Sequence, residues 1–271
     1  MSLKISAEPY QKAIDFLKPH ITRDVCKKIA ALDLSMDPDR PFDFVSYLER
    51  SAIRYDRIFQ QPLMSGAKWL EIGCLFPAFP IALSLMGMNV SIVEDFSFYP
   101  PEIHQMYTQV SDTFGIRFLN HNLSTQENMV LPDRYDYTSL MGVMEHLPHT
   151  PRFLLENIHL NLNPNGFLYV DVPNLYFSFN IQRFLKGQHI QQPIATLYRS
   201  GIPFVGHHRE YSVSDLRYVM GEAGFHVNRL ELFSYSTDFS LRRIANPSLI
   251  FHLLSQMPSF RELIFVECQK R

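Results

Sequence analysis

Three strand-like runs in this 271-residue chain end in residues able to hold or alter a ligand. The first is Trp69-Leu70-Glu71-Ile72-Gly73-Cys74. Gly73 lets the backbone turn tightly and come close to a ligand, and Glu71 can accept a hydrogen bond from an ammonium group. The second is Val90–Val93, followed by Glu94-Asp95, with Glu94 21 residues after Gly73. A carboxylate at that point offers two oxygens that match a vicinal diol such as that of ribose. The third leads from Tyr135–Leu140 through Met141-Gly142 into Glu145-His146-Leu147-Pro148-His149. With an ordinary pKa of about 6.5, His146 suits a general base, and a His in the first turn of a helix equally often just bonds to backbone. His207 and His208 form a second candidate pair. A metal set drawn from His146, His149, His207 and His208 lacks any HxxxH spacing that would put two ligands on one helix face, so no metal is expected. Taken singly, a glycine after a strand and a carboxylate at its tip also suit an ordinary solvated rim.

Positioning these residues requires strands that alternate with helices. Strands are expected near Trp69–Ile72, Val90–Val93, Ile116–Leu119, Tyr135–Leu140 and Phe167–Val172, with later ones at Phe225–Phe233 and Leu263–Glu267. Such alternation implies parallel βαβ units, whose ligands bind outside the carboxyl ends of the strands. Thr150 and Pro151 read as the cap and first turn of a helix with Leu154, Ile158 and Leu162 on its buried face, and Asn163-Pro164-Asn165-Gly166 reads as a turn. Ser212 to Asp215 reads as a capping box before the stripe Leu216, Val219, Met220 and Ala223. A helical stretch is expected around Ser248–Leu254. Residues 1–65 read as a helical extension, with Phe44, Leu48, Ala52, Tyr55 and Phe59 at helical spacing and Pro19, Pro38 and Pro41 as breaks. Residues 66–271 read as the main domain. An aromatic insertion at about 174–206, carrying Tyr176, Phe177, Phe179, Phe184, Tyr198 and Phe204, serves either as a lid over one end of the sheet or as an ordinary packed subdomain. Arg54, Tyr55 and Arg57 either reach toward the site or form a solvated helix face.

Composition narrows the setting. With 46% hydrophobic and 19% charged residues the chain can bury a real core, which excludes a disordered or fibrous protein. A balance of 25 basic against 27 acidic side chains creates no field that would draw the protein to a polyanion, so nucleic acid is not an expected partner. Cys26, Cys74 and Cys268 are an odd, widely spaced set that fits a reducing compartment, and a cytoplasmic location is expected. The 22 uncharged residues from Ile72 to Val93 would be long enough to cross a bilayer. Gly73, Pro77, Pro80 and Gly87 interrupt them, and a strand, turn, helix and strand is expected instead. The opening MSLKISAEPYQKAIDF has no apolar run, so no signal peptide is expected.

As an ordered set, Glu71-x-Gly73, Glu94, the MGVMEHL stretch at 141–147, LYVDVPN at 168–174, His208-Arg-Glu-Tyr-Ser212, Glu222-Ala-Gly-Phe225 and the closing LIFVEC resemble class I S-adenosylmethionine-dependent methyltransferases. The likeness is closest to the broad small-molecule group with an EHL signature, and it covers residues 66–271. It implies a Rossmann-like α/β fold, with a mainly parallel seven-stranded sheet and helices on both faces. It also implies S-adenosyl-L-methionine as cofactor and methyl transfer to a small-molecule acceptor such as a sugar, lipid or polyketide-type metabolite. Glu71 and Gly73 would then face the methionine end, Glu94 rather than Asp95 would hold the ribose, Asn122 would sit near the adenine amine, and Met141 and Gly142 would line the sulfonium region, with Cys74, Asp95 and Leu123 as the neighbouring cofactor-binding residues. Methyl transfer asks the protein to align the acceptor and, for oxygen or nitrogen, to take its proton, a role open to His146, His207 or His208. The family carries glycines where this chain has Leu75 and Pro77, which leaves an alternative: a methyltransferase-like fold kept as a non-catalytic binding or partner subunit. A methyltransferase acting on nucleic acid is disfavoured, because MGVMEH stands where such enzymes carry an Asn/Asp-Pro-Pro-aromatic motif.

Overall fold

The structure, a computed structural model, describes residues 7–32, 42–60, 63–201, 204, 206–235 and 249–271. Among the described residues the strands are β1 (Lys68–Ile72), β2 (Asn89–Glu94), β3 (Arg117–Asn120), β4 (Tyr135–Met141), β5 (Leu162–Pro173), β6 (Phe225–Phe233) and β7 (Leu263–Lys270). They form one sheet in the order β3-β2-β1-β4-β5-β7-β6, and β7 alone runs against its neighbours. After β3 the chain returns to the far side of β1, so strand order reverses between β1 and β4. In an open parallel sheet, the crevice at the carboxyl ends of those two strands is where ligands bind.

The helices are α1 (Ala7–Leu17), α2 (Arg23–Leu32), α3 (Phe44–Tyr55), α4 (Ala78–Leu85), α5 (Pro101–Phe114), α6 (Arg152–Asn161), α7 (Ser178–Leu185), α8 (Ile194–Arg199), α9 (Val213–Glu222) and α10 (Leu249–Gln256). Asp43 caps α3 by accepting from the Ser46 N–H at 3.0 Å, and Ser212 with Asp215 forms the expected reciprocal capping box at α9. The apolar stripes of α1 and α3, among them Tyr10, Ile14 and Leu48, pack over the sheet face that carries Trp69, Tyr137, Tyr169 and Phe265. These four rings stack across β1, β4, β5 and β7, with centroids 5.1 Å apart for Trp69 and Tyr137 and 6.3 Å apart for Tyr169 and Phe265. On the opposite face, Leu70, Leu140, Val170 and Ile264 meet Leu154 and Ile158 of α6 and Leu216 and Met220 of α9. Each fully buried aliphatic side chain of this kind contributes about 1.5–3 kcal/mol.

Strand periodicity sets the next layer. Residues two beyond the stacked aromatics share their face, so Glu71, Ser139 and Asp171 follow Trp69, Tyr137 and Tyr169 toward the carboxyl ends. An aromatic floor thus supports a buried polar layer, and the site lies above both.

Three local expectations are corrected. The NPNG segment lies within β5 as a wide irregularity, because Tyr135 pairs with Leu162 and Tyr137 next pairs with Phe167. Pro151, not Thr150, is the cap residue of α6, although Thr150 Oγ1 still accepts from the Arg152 N–H at 3.2 Å. Residues Met144–His146 form a single 3-10 turn, not the start of a longer helix. The stretch from Ile72 to Val93 resolves into strand, helix and strand, and among the described residues no helix is long and apolar enough to cross a membrane. The breaks expected at Pro38 and Pro41, residues 202, 203 and 205 of the expected insertion, and the expected start of a helical stretch at Ser248 lie outside the described residues.

Candidate active site

At the β1–β2 tip the chain satisfies itself. Glu94 is 8% exposed, and its Oε2 accepts from the backbone N–H groups of Cys74 at 2.9 Å and Leu75 at 3.3 Å. Its Oε1 takes the Tyr99 hydroxyl at 3.3 Å. Burial pushes the Glu94 carboxyl up to about 7 against the pull of these donors. Gly73 holds φ +66°, and a Cβ there would meet Val143 Cγ2 at 2.9 Å, so the turn after β1 requires glycine twice over. Leu75 holds φ +48°, the left-handed conformation that glycine adopts without strain. The backbone therefore follows the course a glycine would set, at the cost of strain in a residue with a Cβ. Pro77 sits at φ −80°, within proline's own range, as the cap residue of α4.

Asp95 and Asn122 are engaged with their own surroundings. Asp95 accepts from the Ser97 N–H at 3.1 Å and from Asn122 Nδ2 at 3.1 Å, and Asn122 Oδ1 accepts from the Ser124 N–H at 3.0 Å. The Leu123 side chain belongs to the apolar core, and its carbonyl accepts from Asn157 Nδ2 at 2.8 Å. Cys74 is a free, partly buried thiol raised well above its ordinary range by burial and by Glu71 and Glu94.

Glu71 lies beneath the tip and is 1% exposed. It accepts from the Ser139 hydroxyl, which in turn takes Trp69 Nε1 at 2.7 Å, and burial pushes its carboxyl up to about 8. Beside it lies a buried ion pair that joins residues 117 positions apart. Arg54 Nε donates to Asp171 Oδ2 at 2.7 Å, its Nη2 to Oδ1, and its Nη1 to the Tyr47 hydroxyl at 2.8 Å. Arg54 also fills the space over Gly142: a Cβ on that residue, which holds φ +70°, would stand 2.7 Å from Nη2. Of the two alternatives for Arg54, Tyr55 and Arg57, the solvated helix face does not hold, because Arg54 is buried and the other two are half-buried. Tyr55 stacks on Phe79 with centroids 4.0 Å apart, and the Arg57 guanidinium lies 3.5 Å over the Phe233 ring.

The β4–β5 tip is open. A cavity of about 260 Å³ lies above Gly142 and the Arg54 side chain, lined by Glu145, His146, Asn180, His207, Glu210 and Tyr235 among others. Asn174 anchors its wall, with Nδ2 donating to the carbonyls of Ser259 at 3.0 Å and Arg261 at 2.8 Å. The insertion supplies Phe177 and Asn180, and Asn180 Nδ2 donates to Glu210. Glu145 is 3% exposed and its Oε2 has no hydrogen-bond partner. Burial pushes the carboxyl of Glu145 up to about 8 and that of Glu210 to about 7.

Of the three expected histidines, His146 and His207 meet at the cavity with ring centroids 4.7 Å apart. His208 turns away: its Nε2 contacts the Phe204 carbonyl at 2.9 Å and its backbone N–H donates to the Glu145 carbonyl at 2.7 Å. His149 is also elsewhere, against Ser124 and Thr150. No role for Glu145, Asn180, Glu210, Tyr47 or Tyr235 follows from the sequence alone. Glu145 carried a signal, because it adjoins His146 in an otherwise apolar run; the others come together only through the fold.

An open sheet of this strand order, with a carboxylate at the β2 tip and a cavity at the β4 tip, is a Rossmann-like α/β architecture with its crevice at the strands' carboxyl ends. A methyltransferase domain model matches residues 44–230, and the chain belongs to that family, within the class I S-adenosylmethionine-dependent superfamily. Among solved structures, an S-adenosylmethionine-dependent methyltransferase from Mesorhizobium loti is similar, with a TM-score of 0.56 and 14% identity over 82% of this chain and 98% of that one. A second, from Methanosarcina mazei, aligns with a TM-score of 0.51 and 16% identity over 77% of this chain and 94% of that one. At such identities the likeness is one of fold. No curated protein sequence matches the chain.

The residues at the β1–β2 tip fit the cofactor that the family uses. Glu94 stands at the strand tip with lone pairs now taken by two amides and a long hydroxyl contact, and a ribose diol offers replacement donors.

Proposed function

We propose that this enzyme transfers the methyl group of S-adenosylmethionine to a small molecule bound in the cavity at the β4–β5 tip. The supporting observation is the cavity itself: its lining includes Gly142, where the family resemblance puts the sulfonium, together with two histidines, the buried Glu145 and the half-buried Glu210. Glu94 would hold the ribose with Asp95 beside it, Gly73 and Cys74 the methionine end with Glu71 beneath, Asn122 the adenine side, and Met141 and Gly142 the sulfonium region. When bound, the cofactor supplies an activated methyl group on sulfur. The chain's own part is to align the acceptor, exclude water and take up a proton, and His146 or His207 stands within the cavity to receive it. A wall with Glu145, Glu210, Asn180 and Tyr235 suits an acceptor rich in hydroxyl or amino groups over a purely apolar one. The insertion would act as the cavity's cover, through Phe177 and Asn180.

The test is calorimetric titration with S-adenosylmethionine and S-adenosylhomocysteine, followed by transfer of labelled methyl to a panel of hydroxylated and amino-bearing small molecules. The proposal expects binding and at least one methylated product, lost when His146 and His207 are both replaced by Ala. Absence of binding at millimolar concentration would overturn the proposal in favour of the non-catalytic reading, and binding without any product would overturn the acceptor class proposed.

A further inference from the structure

We propose that Glu145, His146 and His207 form a binding site for a divalent transition-metal ion. One ligand atom from each of the three lies within 4.8 Å of the other two. Ligands about 2.1 Å from a tetrahedrally coordinated ion are about 3.4 Å apart, so side-chain rotations of little more than an ångström close the set. Two further observations point the same way. Glu145 Oε2 is buried and unpartnered at the cavity, an arrangement that leaves an acceptor's desolvation uncompensated unless something positive or hydrogen-bearing meets it. The His146 ring is also already set for ligation. Its Nδ1 lies 3.2 Å from the Gly206 carbonyl, a contact that requires the proton on Nδ1 and leaves Nε2 as the lone-pair donor. Metal-bound histidines are characteristically oriented by such a carbonyl.

Two imidazoles and one carboxylate make a borderline donor set, suited to Zn²⁺, Fe²⁺ or Mn²⁺ over Mg²⁺ or Ca²⁺. Three protein ligands leave coordination positions open toward the cavity, where Asn180 and Glu210 face any oxygen the ion would hold. The ion would thereby select acceptors bearing adjacent oxygen donors, and with it bound His146 and His207 would act as its ligands, leaving Glu210 to take the acceptor's proton. The site itself does not depend on the methyl-transfer reading, because metal binding can be measured with no cofactor or acceptor present.

The experiment titrates the full chain, freed of metal by a chelator, with Zn²⁺ and Mn²⁺ by calorimetry and with Co²⁺ by visible absorption. The expected result is one site per chain, with a Co²⁺ spectrum of low coordination number and no thiolate charge-transfer band. His207→Ala should weaken binding by a factor of about 100 or more, because one of three ligands is lost, while His226→Ala on the far side of the fold should leave it unchanged. Glu145→Gln should act like His207→Ala; should that variant fail to fold, His146→Ala replaces it. No binding by the native chain at millimolar metal, equal binding by native and His207→Ala chains, or a thiolate band would each overturn the proposal.

Discussion

At the β1–β2 tip Glu94 takes two backbone amides and a hydroxyl from its own chain, whereas at the β4–β5 tip Glu145 keeps one buried oxygen that bonds to nothing. Both carboxylates sit at carboxyl ends of the same sheet, and burial raises both. The first tip is stable without a ligand and must exchange partners to bind one, so its affinity is the difference between two sets of hydrogen bonds. The second holds an unmet acceptor at a cost of about 1–3 kcal/mol, which a well-placed cation or donor would return. On the assignment proposed above, the first tip would exchange its own hydrogen bonds for a ligand's, and the second would hold an acceptor ready for one.

The largest effect is expected beneath both tips, where Arg54 and Asp171 are 4% and 0% exposed. Removing one partner strands the other charge in the interior, so Arg54→Met or Asp171→Ala should each cost about 3–5 kcal/mol in denaturant unfolding. The double variant Arg54→Met with Asp171→Leu should recover much of that loss, because a buried ion pair adds little over apolar packing. Single variants within 1 kcal/mol of the native protein would show that the tips do not share this foundation.

Next in size is the contrast between neighbouring carboxylates. Glu94→Ala should weaken S-adenosylmethionine binding at least tenfold in calorimetry, since each charge-assisted hydrogen bond contributes about 1.5–3 kcal/mol. It should also destabilise the cofactor-free protein by leaving the Cys74 and Leu75 amides without an acceptor. Asp95→Ala should mainly loosen the turn it caps and its tie to Asn122, with a smaller loss of affinity. If Asp95→Ala proves the more damaging for binding, the ribose contact moves by one residue.

Much of the fold was legible because it rests on local periodicity. All seven strands were read near their observed places, and the 212–215 capping box was read from four consecutive residues. The β5 start was not, because the NPNG segment has turn chemistry and only the pairing with β4 draws it into the strand. There, a Cβ on Gly166 would press to 3.2 Å from the Asp136 carbonyl, so the close approach that fixes this irregularity is visible only in three dimensions. The site divides in the same way. Glu94, Gly142 and Glu145-His146 stand out along the chain, whereas Arg54 with Asp171, and His146 with His207, are joined by topology alone. Asp171 did carry a hint, since a carboxylate inside the apolar run LYVDV must find a partner.

A smaller effect concerns pH at Glu71, whose carboxyl is raised mainly by burial from 4.5 to about 8. Between those values the folded state holds a proton that the unfolded state has released, so stability is fully present below about 4.5 and declines as pH rises to about 8. Glu71→Gln should flatten that decline by on the order of 1–3 kcal/mol, read as the change in denaturation midpoint between pH 5 and pH 8. An unchanged slope would mean that Ser139 and Arg54 hold Glu71 ionised, which would make it part of the charged foundation.

The smallest effect is expected at Leu75, and it decides whether the β1–β2 tip is an altered loop or a blocked one. A leucine at φ +48° carries strain of about 1–2 kcal/mol that glycine would not, while glycine costs about 0.5–1 kcal/mol more in chain entropy and gives up the leucine's partial packing against the core. These terms nearly cancel, so Leu75→Gly should shift thermal stability by less than about 1 kcal/mol. Because the backbone already takes the glycine-like course and its N–H already points to Glu94, cofactor affinity should stay level or rise a few-fold. A β-branched residue tolerates positive φ least, so Leu75→Val should lower stability further. Should Leu75→Gly with Pro77→Gly instead turn a protein that does not bind S-adenosylmethionine into one that does, the side chains at this tip are a barrier. The self-satisfied loop would then be a closed door, not a ligand-exchanging one.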